Sequence, residues 1–115
     1  MLIYIKHCSL ADKDHKEYKR QYAHTHHKGP NVICVAKDFW GLPLNHFAGL
    51  LAHEMGHILM GEKYHPEYMA DKAANKFFGI RIKYKDSQHG EFLQYLNEHE
   101  SYKVMRWAME YVVVV

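Results

Sequence analysis

His53 and His57 stand four residues apart in the string His53-Glu54-Met55-Gly56-His57. On a helix, residues at that spacing share a face with Cβ atoms roughly 6 Å apart, so both imidazoles can reach one metal ion. Glu54 projects about 100° further round, off the ligand face but able to reach a water held on the metal. This is the pattern of a zinc site that hydrolyses amide bonds, with the glutamate as general base. A catalytic zinc takes three protein ligands and keeps one position open. The third is expected from Glu67-Tyr68-Met69-Ala70-Asp71 downstream. An antiparallel helix pair would bring Glu67 back to the histidines, and Asp71, one turn on, would share its face. Two carboxylates so spaced repel by a few tenths of a kcal/mol on an isolated helix, a sign that a divalent cation reverses. Asp71 suits a supporting place, accepting the second ring N–H of a ligand histidine. Spacing alone leaves open which acid binds the metal. The competing reading makes both acids solvated charges balanced by Lys63 and Lys72.

With these residues in view, the segment resembles the gluzincin group of zinc metallopeptidases, whose third ligand is a downstream glutamate. Its Glu-x-x-Ala-Asp form is similar to that of the heat-shock and CAAX-processing membrane peptidases. The small soluble ImmA/IrrE-like peptidases have a comparable compact catalytic core. The match covers residues 50–79. It departs from the metzincin pattern, since Met60 and Lys63 stand where glycine and histidine are wanted. It departs from the membrane families in lacking a spanning segment. The resemblance implies zinc held by His53, His57 and Glu67, with Asp71 steadying a ligand histidine and Glu54 moving the proton. It also implies a peptidase acting on a peptide or protein substrate, an endopeptidase ahead of an exopeptidase. An edge strand beside the active-site helix, here Val32 to Ala36, would then pair with extended substrate. Donors for the oxyanion would come from Tyr64, His65, Tyr68 or His89.

Several elements must position these groups. Leu2 to Ile5 reads as a strand, and Val32-Ile33-Cys34-Val35-Ala36 as the strongest strand in the chain. Ala11 to about His24 reads as an amphipathic helix bearing Tyr18 and Tyr22, anchored upstream by Leu10 and Ala11. His24, His26 and His27 are assigned to a loop around Gly29-Pro30. Asn45 is the expected N-cap of a helix from His46 to Met60 that buries Phe47, Leu50, Leu51, Ile58 and Leu59 and stops at Gly61. Pro66 suits the first turn of the next helix, which ends at Phe78 before Gly79. Ile80, Ile82 and Tyr84 alternate with cations as in a half-exposed strand or an extended segment. Helical spacing runs from Glu91 to about Tyr111, and Val112 to Val115 suits a final strand. The sum is an α+β fold: a minimal zincin-like domain, with a small sheet packed on the active-site helix plus two or three further helices.

Residues 1–115 fit one domain with one core. The apolar fraction of 48% and charged fraction of 24% are those of a soluble globular protein. A net charge of +2 gives no strong pull towards a polyanion. Lys13, Lys16, Lys19, Arg20 and Lys28 could face nucleic acid, but Asp12, Asp14 and Glu17 dilute that stripe, so nucleic acid is not the expected partner. A non-catalytic zinc-containing module is the other alternative, and it gives Glu54 no role. Cys8 and Cys34 form no Cys-x-x-Cys pair and read as reduced, buried thiols. Neither a basic leader nor a bilayer-spanning run is evident, so no membrane association and a cytoplasmic location are expected.

Overall fold

The computed structural model describes residues 2–18, 22–25, 29–86 and 92–115, the side chains of 14–18, 85, 86 and 92 excepted. Two strands form where β-branched residues cluster, β1 (Ile3–His7) and β3 (Val32–Val35), and they pair in parallel. Between them in sequence lie α1 (Ser9–Tyr18) and β2 (Ala23–Thr25), the latter antiparallel to β3. The chain continues through a 3-10 turn at Lys37–Gly41 into α2 (Leu44–Met60) and α3 (Glu67–Phe78). A hairpin of β4 (Lys83–Asp86) and β5 (Phe92–Tyr95) follows, then α4 (Glu98–Tyr111) and β6 (Val112–Val114). The main sheet runs β2-β3-β1-β6. Fold class is therefore α+β, with a mixed four-stranded sheet, a two-stranded hairpin and four α-helices among the described residues. No helix there is long and apolar enough to cross a membrane.

Alternation along the strands splits the sheet into two faces. Ile3, Ile5, Ile33 and Val35 join the main core with Leu50, Leu51 and Met55 of α2 and Phe39, Leu96 and Val104. Cys34 points the other way, into a smaller cluster with Cys8, Ala11 and Ala36. α2 is the hub of the first face, touching α3, β5 and α4. Two of its glycines set how closely those neighbours come. A Cβ at Gly56 would sit 1.9 Å from Ala70 O, and one at Gly49 would sit 2.8 Å from Tyr95 Cα. Those contacts are backbone against backbone, which no rotamer change relieves.

Several expectations are corrected. The first helix begins earlier than expected, at Ser9, and His24 lies in β2 rather than in that helix or a loop. Val32 to Ala36 is not an edge strand: β3 lies between β2 and β1, and the sheet edges are β2 and β6. α2 begins at Leu44 with Pro43 as N-cap, and Asn45 Oδ1 accepts only its neighbour His46 N–H. Leu59 is exposed, and Ala48, Ala52 and Met55 take the buried stripe instead. Pro66 precedes α3 as its N-cap. Phe92 to Tyr95 is strand β5, and α4 starts later, at an Asn97–Glu100 capping box. Its helical spacing was continuous across a true break, because Phe92 and Tyr95 suit either period. The stops at Gly61 (φ 87°) and left-handed Gly79 (φ 67°) fall as expected.

Candidate metal centre

α2 carries His53, Glu54 and His57, and α3 returns against it carrying Glu67 and Asp71. The approach depends on Gly56, within the motif itself, together with fully buried Ala70 and Ala74 on α3. Glu67, the first residue of α3, thereby comes within reach of both histidines. Its Oε2 lies 2.7 Å from His57 Nε2 and 3.0 Å from His53 Nε2, and the two Nε2 atoms are 3.1 Å apart. His53 is buried, His57 partly so, and Glu67 exposed, so the cluster meets solvent on the Glu67 side.

The other ring nitrogens are engaged elsewhere. His53 Nδ1 is 2.6 Å from Asp71 Oδ1, an acceptor that assigns the proton to Nδ1. Asp71 in turn accepts from the Tyr84 hydroxyl of β4. His57 Nδ1 is 2.7 Å from His65 Nε2, and His65 Nδ1 is 2.8 Å from Lys63 O. The carbonyl can only accept, so His65 donates from Nδ1, accepts at Nε2, and thereby assigns the proton of His57 to Nδ1 as well. Both histidines thus turn Nε2 towards the carboxylate of Glu67. Three atoms able to ligate a metal ion therefore lie within 3.1 Å of one another.

Electrostatics show that the cluster favours positive charge. Burial works against a charged His53, yet hydrogen bonds to Asp71 and Glu67 and the nearby Glu54 carboxylate raise its pKa well above the usual range. Hydrogen bonds from His53 and His57 hold Glu67 well below the ordinary carboxylate range. Burial pushes Glu54 up to about 7, against the lowering influence of both histidines. Among the described residues, Glu54 Oε2 is the one buried side-chain oxygen without a hydrogen-bond partner. An orphaned carboxylate oxygen on a core helix is costly, and such exceptions mark groups held for use.

His53, His57, Glu67 and Asp71 are thus together, with Glu67 at the convergence point and Asp71 behind His53. Glu54 is buried beside the histidines. Among the candidate oxyanion donors, Tyr64 and Tyr68 point into solvent, His65 supports His57 from behind, and His89 lies outside the described residues. The basic stripe is likewise mostly outside them, in Lys19, Arg20, Lys28 and the side chain of Lys16. Tyr84 was missed as a partner of Asp71. The alternation of residues 80–84 marks it as strand, but nothing local tells which face meets α3. No family model, curated protein or solved structure matches the chain.

Proposed function

We propose that the protein is a zinc-dependent peptidase, with His53, His57 and Glu67 as ligands, Asp71 orienting His53, and Glu54 as general base. The observation that carries this reading is the convergence of Nε2 of His53, Nε2 of His57 and Oε2 of Glu67 while both Nδ1 atoms are engaged elsewhere. The donor set fits the metal: two imidazoles and one carboxylate make a three-ligand zinc site with one position open for substrate or water. Zinc bound there supplies a Lewis acid and a water acidified towards neutrality.

The chain's own residues do the rest. Asp71 and His65 hold the ring orientations of the two histidines, so both imidazoles already face the site. Glu54 accepts a proton from the water as its oxygen attacks the scissile carbonyl carbon. It then delivers that proton to the departing nitrogen as the C–N bond breaks. Glu54 Oε2 has no competing hydrogen bond, which suits a group that must take and release a proton each cycle. A cation held by these ligands would lower the Glu54 pKa and favour the ionised base. A zinc site serving structure alone has no use for an unpaired buried carboxylate beside it.

The test is Glu54→Gln, assayed on denatured proteins and a mixed peptide library. The variant should retain zinc at this centre while peptide cleavage falls by about 10²–10⁴-fold. Undiminished cleavage, or no zinc bound at His53 and His57 in the parent, rejects the mechanism.

A further inference from the structure

On the opposite face of the sheet from α2, a second group of ligating atoms comes together. One atom each from Cys8, His24 and Cys34 lies within 4.8 Å of the others. His24 sits directly across from Cys34 in the antiparallel β2–β3 pair, and its Nε2 is 3.7 Å from Cys8 Sγ. Cys8 follows β1 and leads into α1, where its Sγ accepts the Ala11 N–H at 3.4 Å. Both cysteines are buried without a disulfide, against Ala11, Ala36 and Val32, and His24 is half-buried.

We propose that Cys8, His24 and Cys34 form a second zinc site, structural in role and independent of the α2–α3 centre. Ligand type and charge select the ion. Two thiolates and an imidazole suit a thiophilic cation and not magnesium or calcium, which take oxygen ligands. With two thiolates and one neutral imidazole, a divalent ion brings the buried cluster to zero net charge. A monovalent ion leaves a negative charge among apolar side chains, which burial opposes. On binding, each thiol loses its proton to solvent as two Zn–S bonds and one Zn–N bond form. The fourth position is left for a small exogenous ligand such as water. The ligands come from the β1–α1 junction, β2 and β3, so the ion would clamp the three-residue edge strand and the start of α1 onto the central strands.

The experiment uses the full chain in reducing buffer, with cobalt(II) as a spectroscopic stand-in for zinc. The His53, His57 and Glu67 set contains no sulfur, so a near-ultraviolet thiolate-to-cobalt charge-transfer band reports the second cluster alone. The band is expected in the parent and in His57→Ala, and is expected to be lost in Cys8→Ser and in Cys34→Ser. Zinc content should be about two equivalents in the parent and about one in His57→Ala or Cys8→Ser. A serine at fully buried position 34 can unfold the domain, so zinc protection of the parent's own thiols gives a second readout. Zinc should slow their alkylation by about tenfold or more. No band in the parent, a band that survives the Cys8→Ser/Cys34→Ser double variant, or unchanged alkylation overturns the proposal. So does a Cys8–Cys34 disulfide persisting in reducing buffer. Loss of metal from His57→Ala with the cobalt–thiolate band retained would count against neither site, and separates the two readings.

Discussion

Two clusters of ligating atoms occupy opposite faces of one sheet, and they differ in almost every physical respect. The α2–α3 cluster is built of nitrogen and oxygen, opens to solvent through Glu67, and has the buried carboxylate of Glu54 and the partly buried one of Asp71 close by. The β1–β2–β3 cluster is rich in sulfur, lies among alanines and valine, and has no acid in its ligand set. An open, anionic cluster can bind a cation and still admit a reactant. A buried cluster that becomes neutral on binding suits holding its elements together. Their assembly differs too: one depends on a helical repeat and a close helix crossing, the other on strand register.

Breaking the first cluster at a ligand should have the largest effect. His53→Ala is expected to reduce peptide cleavage to background and to remove one equivalent of zinc, leaving the cobalt–thiolate band in place. If that band disappears with it, the two clusters are coupled and the contrast between them fails. The helix crossing comes next. Gly56→Ala drives a Cβ into Ala70 O, and overpacking of this kind typically costs about 1–3 kcal/mol. The upper end is expected, because the obstructing atom is backbone. Gly41→Ala is the control, with open space at its Cβ, and should stay within about 0.5 kcal/mol of the parent. Urea unfolding of both variants measures the difference. A near-neutral Gly56→Ala would mean that α3 can withdraw without consequence, and the position of Glu67 would lose its structural explanation.

The same contrast explains what could be read from the sequence. His53, Glu54 and His57 were legible because helical spacing alone fixes their relative directions. Glu67 and Asp71 were legible because Gly61 and Pro66 bracket so short a link that α3 has little choice but to fold back. Cys8, His24 and Cys34 carry no local signal. They are 16 and 10 residues apart in sequence and meet only through the parallel β1–β3 and antiparallel β2–β3 registers. Reading His24 as part of a helix or loop removed it from the sheet in which it meets Cys34. The β5 error has a similar source. Four residues of Phe92-Leu93-Gln94-Tyr95 fit either period, and their partner Lys83–Asp86 lies across a hairpin that sequence alone does not register. The Asn97–Glu100 capping box was a usable local signal for the start of α4, and it outweighs the apparent continuity upstream.

Effects on the supporting residues should be smaller and graded by the charge of the partner removed. Asp71→Ala takes a carboxylate from behind His53 and should weaken zinc binding by about 10–100-fold. Glu67→Ala should abolish binding at that centre outright. Equilibrium dialysis against a chelator orders the two, and the reverse order would make Asp71 the ligand and Glu67 its support.

His65→Ala gives the smallest change and the finest test. Its Nε2 accepts from His57 Nδ1 as a neutral imidazole, whereas Asp71 accepts from His53 as a carboxylate. Charge-assisted hydrogen bonds are roughly twice as strong as neutral ones. His57 is also only partly buried, so water can replace the lost acceptor without leaving the ring N–H unpaired. Zinc affinity should therefore fall by about tenfold or less, with kcat/KM at saturating zinc nearly unchanged. A fall in kcat with zinc binding intact would instead give His65 a part in the chemical step. In that case the support of His57 through Lys63 O and His65 would not be purely orienting, and the two histidines would differ in role as well as in partner.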